Sequence, residues 1–94
     1  MPLTRNDIRE AVFRAIRQIM ETEVELNEAT KPIDDLDLDS EDGLDFADIL
    51  SDLLQITIPA NVNPFKNDAA QKARTIGEII DLVLNLSPQG RANE

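Results

Sequence analysis

The sequence predicts an all-α protein: a small antiparallel four-helix bundle of three longer helices and one short helix, with a long first loop. Three observations lead there. Apolar residues recur at steps of three and four in separate segments, capping residues stand ahead of those segments, and no stretch alternates apolar and polar residues as a strand would. The 94 residues are one domain over 1–94, with a core over about 4–86 and a frayed tail over 87–94, because a chain this short can bury only one core.

Thr4 and Asp7 have the spacing of a capping box, in which each side chain satisfies a free backbone N–H of the first turn. Ile8, Ala11, Val12, Ala15, Ile16, Ile19 and Met20 then form one apolar stripe, with Arg5, Arg9, Arg14 and Arg17 off it, which predicts a helix over 5–21. Periodicity fades over 22–39, and Pro32 disfavours the helical conformation of Lys31. The spaced apolar residues Val24, Leu26, Ile33, Leu36 and Leu38 predict a connection that folds back over the core. Ser40 is a good N-cap for a second helix over 41–54, whose apolar face holds Leu44, Phe46, Ala47, Ile49, Leu50, Leu53 and Leu54. ITIP at 56–59 ends it, the Asn63-Pro64 pair makes a turn, and Asn67 can cap a short third helix over 68–73. Thr75 and Glu78 repeat the capping-box spacing ahead of a last helix that reaches Leu86.

Composition narrows the chemistry. The chain has no cysteine and no histidine, so the thiol nucleophile, the usual general base and the usual metal ligand are all missing, and the chain is expected not to be an enzyme by itself. A net charge of −10, with three Phe and no Tyr or Trp, argues against nucleic acid as a partner. No apolar run is long enough to span a membrane, and MPLTRNDIRE lacks the apolar middle of a signal peptide; a cytoplasmic monomer without membrane insertion is expected.

The charge is unevenly placed. Residues 1–31 carry six acids and five bases, residues 60–94 four of each, and residues 32–59 nine acids with no base. Asp35, Asp37, Asp39 and Glu41 alternate like the start of a calcium loop, but a start at Asp35 puts Ser40, and a start at Asp37 puts Asp42, where the obligatory glycine belongs, so no metal site is expected. A paired-carboxylate hydrolase needs two carboxyl groups in contrasting environments, and these lie on a face expected to be exposed. Helix-dipole complementarity accounts for Glu41 and Asp42. It leaves Asp45, Asp48 and Asp52, which with Glu41 run at steps of four, three and four. Such a like-charge ridge costs about 0.2–0.5 kcal/mol per unbalanced pair and points to a basic partner.

The assembled pattern resembles the acyl carrier protein family, which carries acyl groups as thioesters on 4′-phosphopantetheine. The resemblance covers nearly the whole chain. DLDLDSE at 35–41 matches the attachment pattern D-L-G-x-D-S-L at Asp35, Leu36, Asp39 and Ser40; FADILSDLLQITIP at 46–59 resembles the family's second helix and its closing I-x-I-P, and TIGEIIDLV at 75–83 the start of its last helix. Asp37 stands where the family usually has glycine, Glu41 where it has leucine, and ANVNPFKNDAAQKAR at 60–74 is longer than the usual link.

The resemblance implies a specialised carrier with 4′-phosphopantetheine bound covalently to Ser40, beside Asp39. It also implies Glu41, Asp45, Asp48 and Asp52 as a docking ridge for the basic patches of partner enzymes. Those partners would be a phosphopantetheinyl transferase and the acyl ligases, acyltransferases or ketosynthases of a fatty-acid, lipid or polyketide-type pathway. The arm would supply the thiol that the chain lacks. Asp39, Glu41 and Asp42 would repel its phosphodiester unless solvent, cations or a basic partner screened them. Ile58 and the apolar residues of the second helix fit core packing better than an acyl cleft. Two other readings stand beside this one: an unmodified acidic interaction module with a carrier fold, which Glu41 favours, and a peptidyl carrier protein for aminoacyl groups.

Overall fold

A capping box opens the first helix in the computed structural model, which describes residues 4–59, 62–67 and 72–86. Thr4 Oγ1 accepts the Asp7 N–H at 3.0 Å and Asp7 Oδ2 accepts the Thr4 N–H at 3.1 Å, so two donors without a helical partner are satisfied. Helix α1 (Arg5–Met20) buries Ile8, Ala11, Val12, Ala15 and Ile16 along the expected stripe. It ends one residue before the expected boundary because Glu21 turns into the left-handed region at φ 58°.

The first connection holds a short helix, α2 (Pro32–Leu36). Pro32 occupies its first position, where the missing N–H has no helical partner to lose, and Lys31 before it is extended at φ −104°, ψ 110°. Leu26, Ile33, Leu36 and Leu38 are half-buried against the core, so the connection does fold back. It is also tied to the last helix, α4 (Ile76–Leu86): the Ile76 N–H donates to Thr30 O at 2.8 Å and the Gly77 N–H to Glu28 O at 2.9 Å. These two donors, orphaned by the start of α4, thus hold the connection in place.

Helix α3 (Ser40–Leu54) corrects the expected cap. Asp39, not Ser40, is the N-cap: its Oδ1 accepts the Asp42 N–H at 3.0 Å and Asp42 Oδ2 accepts the Asp39 N–H at 3.0 Å. Aspartate caps as well as serine, and Asp42 three residues on completes the reciprocal pair, whereas Ser40 would have Gly43 at that offset. Ser40 becomes the first residue inside the helix. The apolar face also needs correction, for Leu44 is 50% and Leu53 37% exposed, while Phe46, Ala47, Leu50 and Leu54 are buried.

The expected short helix over 68–73 is replaced at its described positions. Lys66–Asn67 (β1) and Lys72–Ala73 (β2) pair antiparallel, with Lys66 opposite Ala73 and Asn67 opposite Lys72; residues 68–71 lie outside the described residues, as does the expected tail over 87–94. Two-residue strands are too short to leave an alternating pattern in sequence. At α4, Thr75 and Glu78 form the predicted box, with hydrogen bonds of 2.9 and 3.1 Å.

The described residues are mostly helical, and α1 packs against both α3 and α4 around one core. Phe65, from the segment between α3 and β1, is fully buried with its ring 4.8 Å from that of Phe46. Burying such a side chain is worth about 1.5–3 kcal/mol, so this segment belongs to the core and is not an ornament on it. No helix among the described residues is long and apolar enough to cross a membrane.

Candidate functional site

Ser40 is exposed on the first turn of α3, and its backbone is fixed from both sides. The Asp39–Asp42 box sets the start of the helix. From across the chain, Asn63 Nδ2 donates to Ser40 O at 3.0 Å, while Asn63 Oδ1 accepts the Phe65 N–H at 3.0 Å. Asn63 can lie so close because the residue opposite is Gly43, where an added Cβ would overlap the Asn63 amide. The Arg74 guanidinium closes the arrangement, with Nη1 donating to Asn63 O at 2.8 Å and to Lys66 O at 2.9 Å.

Basic residues line the same groove as the serine. Lys31, Lys66 and Lys72, with Ile33, Asp34, Leu38, Asp39, Ser40 and Ala73, line an open groove of about 650 Å³. The lysines come from separate parts of the chain: one precedes α2, one lies on β1 and one on β2. Glu78, in the first turn of α4, has its carboxyl held below the ordinary value of 4.5, chiefly by the hydrogen bond from the Thr75 backbone; desolvation opposes this, and the Thr75 hydroxyl, Arg74 and Lys72 add to it. A second groove of about 550 Å³ runs between α1 and α3 past Asp7, Arg14, Arg17 and Leu53; it mixes both charges and offers no nucleophile.

Away from the groove, Glu41, Asp45, Asp48 and Asp52 are all exposed on α3. Among the described residues the ion pairs are made by arginines of α1: Arg5 with Glu28 and Asp81, Arg9 with Glu28, and Arg17 with Glu23. None involves the ridge. Leu44, half-exposed, lies three residues from Glu41 and four from Asp48, so an apolar contact surface sits within the acidic face.

The expected site residues therefore divide. Ser40 and Asp39 meet at the groove, but the Asp39 carboxylate is engaged in capping, and the ridge begins one residue beyond Ser40 and leads away from it. Sequence reasoning missed Asn63, Gly43, Leu44 and the three lysines. One signal was present: Lys66, Lys72 and Arg74 are the first bases after the base-free block, within the segment that is long for the family it resembles. No protein-family model, curated protein or solved structure matches the chain.

Proposed function

We propose that this protein is a specialised acyl carrier of the antiparallel four-helix type, not an enzyme itself, that bears 4′-phosphopantetheine on Ser40. The observation that carries the reading is the setting of Ser40: a serine exposed on a fixed helical turn, opening on a groove with three lysines, at the head of an acidic ridge that no described cation compensates. The Ser40 hydroxyl oxygen attacks the pyrophosphate of coenzyme A on the phosphorus bonded to pantetheine. The bond to the departing adenosine 3′,5′-bisphosphate breaks, and the hydroxyl proton leaves to a base of the transferase. The arm's thiol then carries the acyl group. Glu41, Asp45, Asp48 and Asp52 steer basic partner enzymes, and Leu44 gives them an apolar contact, which suits a carrier that must bind quickly and leave. In this reading the protein works in the cytoplasm as a monomer.

Incubating the apo protein with coenzyme A and a promiscuous phosphopantetheinyl transferase, followed by intact mass measurement, tests the assignment. Wild type gains one phosphopantetheinyl group and Ser40→Ala gains none. The alanine variant keeps its melting temperature, since the cap is Asp39. No gain with several transferases, or an equal gain in the variant, overturns the reading. Glu41, exposed directly after Ser40, supports a second one, in which the acidic face binds partners and Ser40 stays unmodified. The mass of protein taken from its native source separates the two.

A further inference from the structure

We infer that the lysine-lined groove is a seat for the phosphodiester on Ser40, so that the chain itself screens the charge its neighbouring acids would repel. The inference rests on the carrier reading above and adds the residues that hold the arm. Ser40 is part of the groove's lining, and phosphorus is the atom that would be bonded to its oxygen, so the phosphate is the first part of the arm to meet the groove. Lys31, Lys66 and Lys72 all line the groove, and none forms an ion pair with a described residue, although the Lys72 charge also acts on Glu78. They stand against Asp34 and Asp39 in the same lining, and Asp39 is already engaged by the Asp42 N–H. The lysines are the available partners for an added anion, and a charge-assisted contact to a phosphate oxygen is stronger than a neutral one.

The rest of the lining suits the pantetheine chain. Ile33, Leu38 and Ala73 are apolar, and the second carbon of that chain beyond the phosphate bears two methyl groups. The seat is also braced, since Asn63 binds both Ser40 and Phe65, and Arg74 binds both Asn63 and Lys66. The segment over 62–74 thereby gains a role: it carries two of the three cations to a serine otherwise surrounded by carboxylates.

The test compares wild type with Lys66→Gln/Lys72→Gln, both substitutions lying at exposed positions that leave the core untouched. Each protein is treated with coenzyme A and transferase, its conversion is read by intact mass, and amide spectra and melting curves are recorded before and after at low salt. In wild type, modification shifts the resonances of Lys31, Lys66, Lys72 and Ala73 as well as those of residues 39–42. It also raises Tm by about 2–4 °C, as a weak exposed ion contact should in a domain of this size, and high salt removes the rise. In the double variant Tm does not rise. If wild type is converted but its shifts stay within residues 39–42 and both proteins change Tm equally, the seat is wrong and the carrier reading stands. If neither protein gains mass, the carrier reading fails and the seat with it.

Discussion

Gly43 and Asn63 meet at the point where the long link touches the first turn of α3, and their fit sets a sharp expectation. An alanine Cβ at 43 would lie 2.9 Å from Asn63 Cγ, so the asparagine must leave, releasing its bonds to Ser40 O and the Phe65 N–H. Two such bonds are worth about 1 kcal/mol each, whereas glycine to alanine within a helix gains about 1 kcal/mol. Gly43→Ala should therefore destabilise the wild type by about 1 kcal/mol in urea unfolding. With Asn63→Ala already present the sign should reverse, because only the helix gain remains. A Gly43→Ala cost that persists in the double variant would place the constraint elsewhere than on Asn63. At this scale the serine's two possible roles also come apart: Asp39 performs the capping, and Ser40 keeps its hydroxyl free of it.

At the scale of elements, the helices end in a common way. Glu21, Asp37 and Gln55 close α1, α2 and α3 in the left-handed region, at φ 58°, 62° and 55°, and none is glycine. At such a C-cap a glycine would adopt the left-handed conformation without a Cβ penalty. A side chain there costs about 1–2 kcal/mol, of which glycine's greater freedom in the unfolded chain takes back about 0.5–1 kcal/mol. Asp37→Gly and Gln55→Gly should each raise unfolding stability by about 0.5–1 kcal/mol, additively because they lie on different helices. A loss in either case would mean that the side chain makes a contact worth more than the strain. How legible each element was depends on how local its cause is. The Thr4–Asp7 and Thr75–Glu78 boxes could be read because both partners lie within four residues. Asp39–Asp42 is equally local, yet the adjacent serine offered a competing cap. The strand pair and the lysine groove left almost no trace, since residues 31, 66 and 72 come together through contacts between residues distant in sequence, such as Phe65 against Phe46 and Asn63 against Ser40. Leu44 and Leu53 belong to the apolar face by periodicity yet stay exposed, because periodicity marks a helix face without saying how much of it a neighbour covers.

For the molecule as a whole, charge is the dominant unbalanced quantity. The chain carries −10 overall, and residues 32–59 hold nine acids without a base. The fold does not correct this by bringing α1 arginines to them: those arginines pair with Glu23, Glu28 and Asp81, all outside the block. The groove lysines lie at one end of α3, while the ridge extends from Glu41 to Asp52 along it. Self-repulsion among exposed carboxylates weakens the compact state, and it falls as the screening length shortens from about 30 Å at 0.01 M ionic strength to about 10 Å at 0.1 M. Millimolar magnesium or calcium should therefore raise Tm. Among the described residues no cluster of three potential ligands could hold a metal ion, so the rise should come from screening without a dedicated site. Sodium chloride at matched ionic strength should then reproduce most of it, and Asp48→Asn, which removes one charge from the middle of the ridge, should lessen the salt dependence. An unchanged Tm would show that the fold already offsets the repulsion. A rise that saturates at micromolar magnesium and is absent with sodium would reveal a specific cation site in place of a diffuse field.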